Sequence, residues 1–494
     1  MPSNRPDHYR ILGILRDATQ EEIKRAYLQA AQRLHPDKNV APGETEIFLG
    51  VQQAYEILSN PRRRSLYDAT LPPDIESDGS VRRDFIFSRP HVVRLTEPQV
   101  VYGLLEIGSR EGSDKIPAPP LNVCLVLDRS SSMAGNKIDM VKAAAIQLLR
   151  SLRAQDVFSV VAFSDRADVI IPAAINWETK KQESQIQFMQ TSGSTELFQG
   201  LEAGLKEVRR TLDPSRVNHI ILLTDGHTYG DEQACLRLAE EAAQANIGIT
   251  GLGVGAEWND IFLDALAGRT GSNATYISQP KDIQTILVQK FEALISTFAD
   301  DVLLEYKGQN HVRTNYAFRL QPDGGGISLE SPMHLGPIAR DTPLAVLFEF
   351  VIEPEALHED EVVLVDGVLK VSVAAMPAPV PPMRVRITRM VSDTPSMDAP
   401  PPTILSALSK LTLYRMQERA RIAAEGGEYS SAARHLQNLA THLLSQGESS
   451  LAKTALMEAE HLERMHAWSA TGNKEIKYNT RALMLGPPKE KVKE

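Results

Sequence analysis

NVCLVLDRSSSM, residues 122–133, is an apolar run that ends on an aspartate and then breaks into serines. Three further runs are built alike: DVFSVVAFS (156–164), NHIILLTD (218–225) and IGITGLGVG (247–255). Helix-like segments lie between them, such as KIDMVKAAAIQLLRSL (137–152) and LFQGLEAGLKEVRRTL (197–212). Continuous apolar strands alternating with helices predict a parallel sheet covered on both faces, an α/β doubly wound domain over 121–297. In such sheets ligands gather at the carboxyl ends of the strands. Asp128 and Asp225 stand there, each immediately after its apolar run.

Asp128, Ser130 and Ser132 form a D-x-S-x-S pattern, Thr195 lies in SGSTELFQG, and Asp225 lies in LLTDG. Each signal is weak alone, because a serine-rich turn after a strand is usually a helix cap and T-D-G is usually a turn. Together, in this order and on this fold pattern, they resemble the metal-ion-dependent adhesion site of the von Willebrand factor A domain. All its positions are filled; Ser131 replaces a glycine often seen there, at a position that is not a ligand. The resemblance implies that Ser130, Ser132 and Thr195 reach a metal. Asp128 and Asp225 would act close by, partly through water, and an open side of the metal would take a carboxylate from a protein target. An all-oxygen donor set suits a divalent cation such as magnesium, with manganese or calcium as alternatives, and disfavours zinc.

An enzymatic reading competes with this one. An aspartyl-phosphate hydrolase would also carry an aspartate after its first strand, but its second aspartate, two positions on, is Ser130 here. GLGVG (251–255) is a lone glycine pattern of the kind that usually marks a turn, and His227 reads as a loop residue. No active site is expected.

Working outward, strand-like runs flank the domain on both sides. VVYGLLEI (100–107) precedes it, and VLLEYKG, LAVLFEFVI, VVLVDGVLKVSV and MRVRITRMV follow within 301–391. The early strands are too few to form a core alone. They are expected to pair with the later ones, so that 84–120 and 298–392 make one all-β sandwich into which the α/β domain is inserted. This layout loosely resembles bacterial A-domain proteins related to inter-alpha-trypsin inhibitor heavy chains. A Pro-rich linker (393–402) leads into a C-terminal helical bundle over 403–470, with helices at 403–424, 430–445 and 448–467. Glu428, Tyr429, Ala432 and Ala433 are faintly tetratricopeptide-like, too little to establish a repeat. Residues 471–494 read as a tail ending in the disorder-prone GPPKEKVKE.

The first seventy residues differ in kind. TQEEIKRAYLQAAQRL (19–34) puts Ile23, Tyr27, Ala30 and Leu34 on one helix face, with Thr19 and Glu22 spaced as a capping box. Pro36 ends that helix, a second runs from Glu44 to Leu58, and Asn60-Pro61 caps a third. DHYRILGI (7–14), EEIKRAYLQAAQRLHPDKN (21–39) and QAYEILSNPRRRSLYD (53–68) together resemble the all-α J-domain of DnaJ-type co-chaperones, over 1–70. The resemblance implies that His35, Pro36 and Asp37 at the hairpin tip, with the basic face of Lys24, Arg25 and Arg33, bind the ATPase of a DnaK-type heat-shock chaperone. An exposed carboxylate at a proline-fixed tip suits charge-assisted recognition, and a basic strip suits electrostatic steering. Gly50 and Leu49 sit where polar residues are more usual. LPPDIESDGSVRR (71–83) reads as a linker; neither a Gly/Phe-rich stretch nor a C-x-x-C zinc module follows.

Composition bounds the rest. The 494 residues are too many for one core, and 42% hydrophobic with 23% charged residues is ordinary for a globular chain. Lys plus Arg total 53 against 63 Asp plus Glu, a formal charge of −10 that argues against a general nucleic-acid binder. No apolar stretch is long enough to span a membrane, and no signal peptide is read at the start. Two cysteines without partners in spacing suit a reduced, cytoplasmic protein. The expectation is a multidomain J-domain co-chaperone that grips an unidentified protein target through its metal site. The alternative is a metal-dependent scaffold whose J-domain only localises the chaperone or is inactive.

Overall fold

The computed structural model describes residues 8–12, 20–34, 44–68, 81–109, 117–175, 178–226, 230–374, 376, 380–396 and 399–483. Its central unit is a six-stranded sheet in the order Ala167–Ala174, Val157–Phe163, Leu121–Asp128, Val217–Thr224, Ile247–Val254, Ala274–Ile277. All neighbours run parallel except the first pair. Every residue of the strands Leu121–Asp128, Val157–Phe163 and Val217–Thr224 is buried, as helices on both faces require. The antiparallel edge strand Ala167–Ala174 is an element the sequence reading did not single out; its mostly exposed or half-buried residues carry no continuous apolar run.

Two separate apolar layers cover this sheet. The helices Asn136–Ser151 and Ile283–Ile295 share one layer with Leu125, Phe158 and Ile221. Helix Leu197–Arg210 lies on the other with Val126 and Phe163. It comes close because Gly200 and Gly204 face the sheet: a Cβ there would stand 2.5 Å from the Phe163 ring and 2.4 Å from a Val126 methyl.

The insertion is confirmed by strand pairing. Gln99–Ser109, which precedes the α/β domain, pairs antiparallel with Leu344–Ile352, which follows it, from Gln99 opposite Ile352 to Ile107 opposite Leu344. One sheet runs Val81–Phe87, Gln99–Ser109, Leu344–Ile352, Val312–Gln321, Gly325–Gly326. The other runs Met333–His334, Asp301–Lys307, Glu361–Ser372, Met383–Ser392, Val92–Val93. Residues of both sheets, among them Val101, Phe348, Val302 and Leu369, share one apolar core. The first strand starts at Val81, inside the stretch read as a linker over 71–83. Residues 71–80 lie outside the described residues.

At the C-terminal end, helices Pro402–Glu425, Tyr429–Ser445 and Ser449–Met465 form the expected bundle. Its first helix also covers the outer face of the sandwich, with Ile404, Ala407, Leu411 and Tyr414 against Leu104, Phe318 and Leu347. One expectation is corrected. Residues 472–482, assigned to the tail, form a helix, Gly472–Ala482, whose Ile476 joins the bundle core while Tyr478 joins the core of the α/β domain. Its polar and charged side chains outnumber its apolar ones, so few apolar residues announce it. Ion pairs dock it instead. Residues 484–494, including GPPKEKVKE, lie outside the described residues.

The N-terminal unit shows helices His8–Leu12, Gln20–Leu34, Glu44–Leu58 and Pro61–Asp68. Leu12, Ile23, Val51, Ala54 and Leu58 form its core, and the Tyr27 and Tyr55 rings stack 4.1 Å apart. The Asn60 side chain caps the last helix, accepting from the backbone N–H of Arg62 at 3.0 Å and Arg63 at 3.2 Å. The second long helix runs unbroken through Gly50. Thr19, of the expected capping box, lies outside the described residues. Among the described residues no helix is long and apolar enough to cross a membrane.

Candidate metal centre

The loops after strands Leu121–Asp128 and Val217–Thr224, with the loop that enters helix Leu197–Arg210, bring the serine, aspartate and threonine positions to one end of the central sheet. Asp128 ends its strand fully buried, and both its carboxylate oxygens are held: Oδ1 accepts from the Ser130 N–H at 2.7 Å, and Oδ2 from the Thr224 hydroxyl at 2.7 Å. The Ser130 and Ser132 hydroxyls are 3.0 Å apart, and Ser132 donates to Asp225 Oδ1 at 2.7 Å. Asp225 is 2% exposed. The other oxygen of Asp225 accepts from the Lys137 ammonium, which also donates to the Ser132 carbonyl at 3.2 Å. Thr195 leans on the turn after Asp225: its Oγ1 lies 2.9 Å from where a Gly226 Cβ would be. The sequence-derived set Asp128, Ser130, Ser132, Thr195 and Asp225 is therefore assembled from three loops.

Local structure explains the convergence. Arg129 donates its backbone N–H to Phe163 O and accepts from Ser192 N–H, while the Ser131 N–H donates to Gly193 O at 3.1 Å, stitching the serine loop to the threonine loop. Gly193 has φ +75°, and a Cβ there would stand 2.3 Å from Asp165 Oδ2. Asp165 accepts from the Ser194 N–H and hydroxyl at 2.7 and 2.5 Å; these bonds hold its carboxyl below the usual range. Three residues that support the site were missed from the sequence. Thr224 looked like the end of an apolar strand, Asp165 sits in a loop of no recognisable pattern, and Lys137 opens a helix.

Burial pushes the Asp128 carboxyl up, the Thr224 and Ser130 hydrogen bonds pull it down, and the nearby Asp225 charge adds to the rise; the net shift is upward. Among the described residues, two buried carboxylates are thus offset by one ammonium. The donor chemistry fits a hard divalent cation, because hydroxyl and carboxylate oxygens converge where one negative charge is left over. Among the described residues no three His, Cys, Asp or Glu side chains cluster as a metal group. That accords with a ring whose remaining donors are hydroxyls. Chemically the ring offers charge and oxygen ligands. His227 lies outside the described residues.

At the opposite flank of the domain, another pair of carboxylates meets the Gly472–Ala482 helix. Arg481 donates to both Asp264 oxygens, at 2.7 and 2.8 Å, and Lys477 reaches Asp264 at 2.8 Å and also Asp260. Burial raises the Asp264 carboxyl, but Arg481 and Lys477 outweigh it and bring it below its usual value. Lys474 donates to the Ala256 carbonyl and lies 5.1 Å above the Trp258 ring.

In the N-terminal hairpin, Lys24 and Arg25 are exposed on helix Gln20–Leu34, as a docking face needs. Arg33 lies in that helix, but its side chain is outside the described residues, as are His35, Pro36 and Asp37. Cys124 and Cys235 are buried free thiols, and burial pushes Cys124 up to about 12.

Comparison with known proteins follows the same divisions. The family description DnaJ domain matches residues 7–68, von Willebrand factor type A domain matches 122–289, and Sll0103-like, C-terminal alpha-helical domain matches 402–486. Uncharacterized protein sll0103 of Synechocystis is 34% identical over 196 residues, 39% of this chain and 46% of that protein. DnaJ homolog subfamily B member 12 of Mus musculus is 52% identical over 62 residues, 13% of this chain and 16% of that protein. Chaperone protein DnaJ of Trichormus variabilis is 47% identical over 73 residues, 15% and 19% of the two chains. The chain therefore spans less than half the length of each of these relatives. Among solved structures, a von Willebrand factor type A protein from Catenulispora acidiphila superposes with a TM-score of 0.66 at 13% identity, covering 83% of this chain and 98% of that one. The ArnB paralog VWA2 from Sulfolobus acidocaldarius gives 0.52 at 16% identity, covering 82% and 98%. At such identities the likeness is one of fold, and it extends past the inserted domain. The chain joins a DnaJ domain, a von Willebrand factor type A domain set into a β-sandwich, and an Sll0103-like helical domain in one polypeptide.

Proposed function

We propose that this protein is a cytoplasmic co-chaperone with no active site of its own. Its DnaJ domain recruits a DnaK-type chaperone and stimulates ATP hydrolysis by that partner, and its von Willebrand factor A domain grips a protein target through a divalent cation. The observation that carries this reading is the union, in one chain, of a DnaJ hairpin with an oxygen-lined ring holding more negative than positive charge. Ser130, Ser132 and Thr195 would hold the cation, magnesium first and manganese or calcium as substitutes, with Asp128 and Asp225 close behind. A bound cation with an open side supplies an electrophilic seat for a carboxylate of the target.

The chain's own residues do the rest. Thr224 and the Ser130 N–H fix both oxygens of Asp128, so that carboxylate cannot swing. Ser132 and Lys137 fix those of Asp225. Such preset donors bind an ion with little reorganisation. At the hairpin, Lys24, Arg25 and Arg33 steer an acidic partner, and Asp37 beside His35 and Pro36 accepts charge-assisted hydrogen bonds from it.

The test separates the two grips. Asp37→Asn abolishes stimulation of a purified DnaK-type ATPase while target capture by the full chain persists. Asp128→Ala, or a chelator, removes target capture and leaves stimulation intact. Full stimulation by Asp37→Asn, or capture indifferent to chelator, overturns the corresponding half.

A further inference from the structure

Far from the ring, at the amino ends of strands Val217–Thr224 and Ile247–Val254, a cavity of about 500 Å³ opens between the α/β domain and the sandwich. That volume suits an organic molecule and is far larger than one ion needs. Ile247, Ile286, Ala293 and Leu294 supply apolar lining; Asp300, Asp301 and His334 supply a polar end.

Most charges around it are already matched. Arg319, 4% exposed, donates to the carbonyls of Gly271 at 2.5 Å, Ser272 at 3.1 Å, Leu335 at 3.1 Å and Asp323 at 2.9 Å, fastening the two domains together. Lys290 pairs with Asp323 at 3.1 Å, and His219 bonds the Thr250 hydroxyl at 2.8 Å. The Arg319 charge also faces Asp323 and Asp301, yet the two adjacent aspartates, Asp300 and Asp301, each keep an oxygen without a donor. Asp301 is 7% exposed and Asp300 half-buried. One oxygen of each is engaged, Asp301 Oδ2 by His334 Nδ1 at 2.8 Å and Asp300 Oδ2 by Asn246. The other, Oδ1 in both, is buried without a hydrogen-bond partner among the described residues. Burial pushes Asp300 up to about 6, helped by the neighbouring Asp301 charge and opposed by hydrogen bonding to Ser372 and Asn246.

Buried acceptors without donors are costly, and a ligand that brings donors and positive charge removes the cost. We propose that this interdomain cavity binds a small primary amine, whose ammonium donates to Asp300 and Asp301 and whose hydrocarbon body lies along Ile286, Ala293 and Leu294. An anionic ligand would meet two carboxylates and be repelled. Because the lining comes from both domains, an occupied cavity stiffens the joint that carries the metal domain.

The experiment titrates the full chain with phenethylamine, and with 3-phenylpropanoate as the anion of similar shape, by calorimetry and thermal unfolding. Phenethylamine binds saturably and raises Tm; 3-phenylpropanoate does neither. Asp300→Asn weakens phenethylamine binding tenfold or more. So does Ala293→Trp, which fills the cavity from an exposed position and leaves the buried charges untouched. No saturable binding of the amine, binding unchanged in Ala293→Trp, or preference for the anion each overturns the proposal.

Discussion

The von Willebrand factor A domain carries two pairs of aspartates with opposite fates. Asp260 and Asp264 meet Lys477 and Arg481, two cations for two anions; the Lys477 side chain is 4% exposed and that of Arg481 10%. Among the described residues, Asp128 and Asp225 meet hydroxyls, one backbone N–H and the single ammonium of Lys137, whose side chain is 30% exposed. The first pair is charge-balanced and closed, and its work is to fasten the C-terminal helix. The second is more deeply buried and, among the described residues, one positive charge short, with Ser132 on the surface. In a low-dielectric setting such a deficit attracts a cation strongly. The difference between a structural clamp and a candidate metal seat is thus one of charge count and access, with the same residue type in both.

The largest break in this comparison is expected at the clamp. Asp264→Ala strands Arg481 in the interior and leaves Lys477 to Asp260 alone, and removing one partner of a buried pair costs about 3–5 kcal/mol. The full chain then melts several degrees lower, and limited proteolysis releases the C-terminal helices first. At the ring the response depends on metal instead. Magnesium at about a hundred times its dissociation constant stabilises the wild type by about 2.7 kcal/mol, and Asp128→Asn loses this gain in a thermal melt. If magnesium stabilised both equally, the ring would not be its site.

Acid sensitivity sharpens the contrast between the two ends of the sheet. Burial lowers His219 from 6.5 to about 3. The unfolded chain therefore takes up that proton first, and the stability His219 contributes is full above pH 6.5 and lost as pH falls from there toward 3. His219→Gln flattens that limb of the Tm–pH curve, whereas Lys137→Met leaves it unchanged. The smallest effect is at Lys137 itself. Removing its charge relieves repulsion on an incoming cation, so Lys137→Met tightens magnesium binding about three- to tenfold, read by calorimetry.

Much of this was legible in the chain. The four apolar runs dictated the sheet because parallel strands buried on both faces admit few polar residues. That the early strands pair with later ones across the inserted domain followed from their shortage; which two meet, Gln99–Ser109 and Leu344–Ile352, did not. Asp128, Ser130, Ser132 and Asp225 were readable because they follow their strands by short steps, and Thr195 because it stands in a serine-rich turn before a helix. What escaped depends on three-dimensional partners. Lys137 is an ordinary helix-start lysine until Asp225, 88 positions on, folds beside it. The Gly472–Ala482 helix has polar residues on most positions, so too few apolar ones mark it as part of a core; its charged anchor is the distant Asp260–Asp264 pair. The edge strand Ala167–Ala174 is half solvated and so lacks an apolar signature.

The claim on which the account rests is that the ring seats one divalent cation. Equilibrium dialysis of the full chain against Mn²⁺, counted by paramagnetic resonance, tests it most directly. One tightly held ion per chain, displaced by magnesium and lost in Asp225→Ala, is the expected result. No tight Mn²⁺, or a tight ion that survives Asp225→Ala and Asp128→Ala alike, contradicts it.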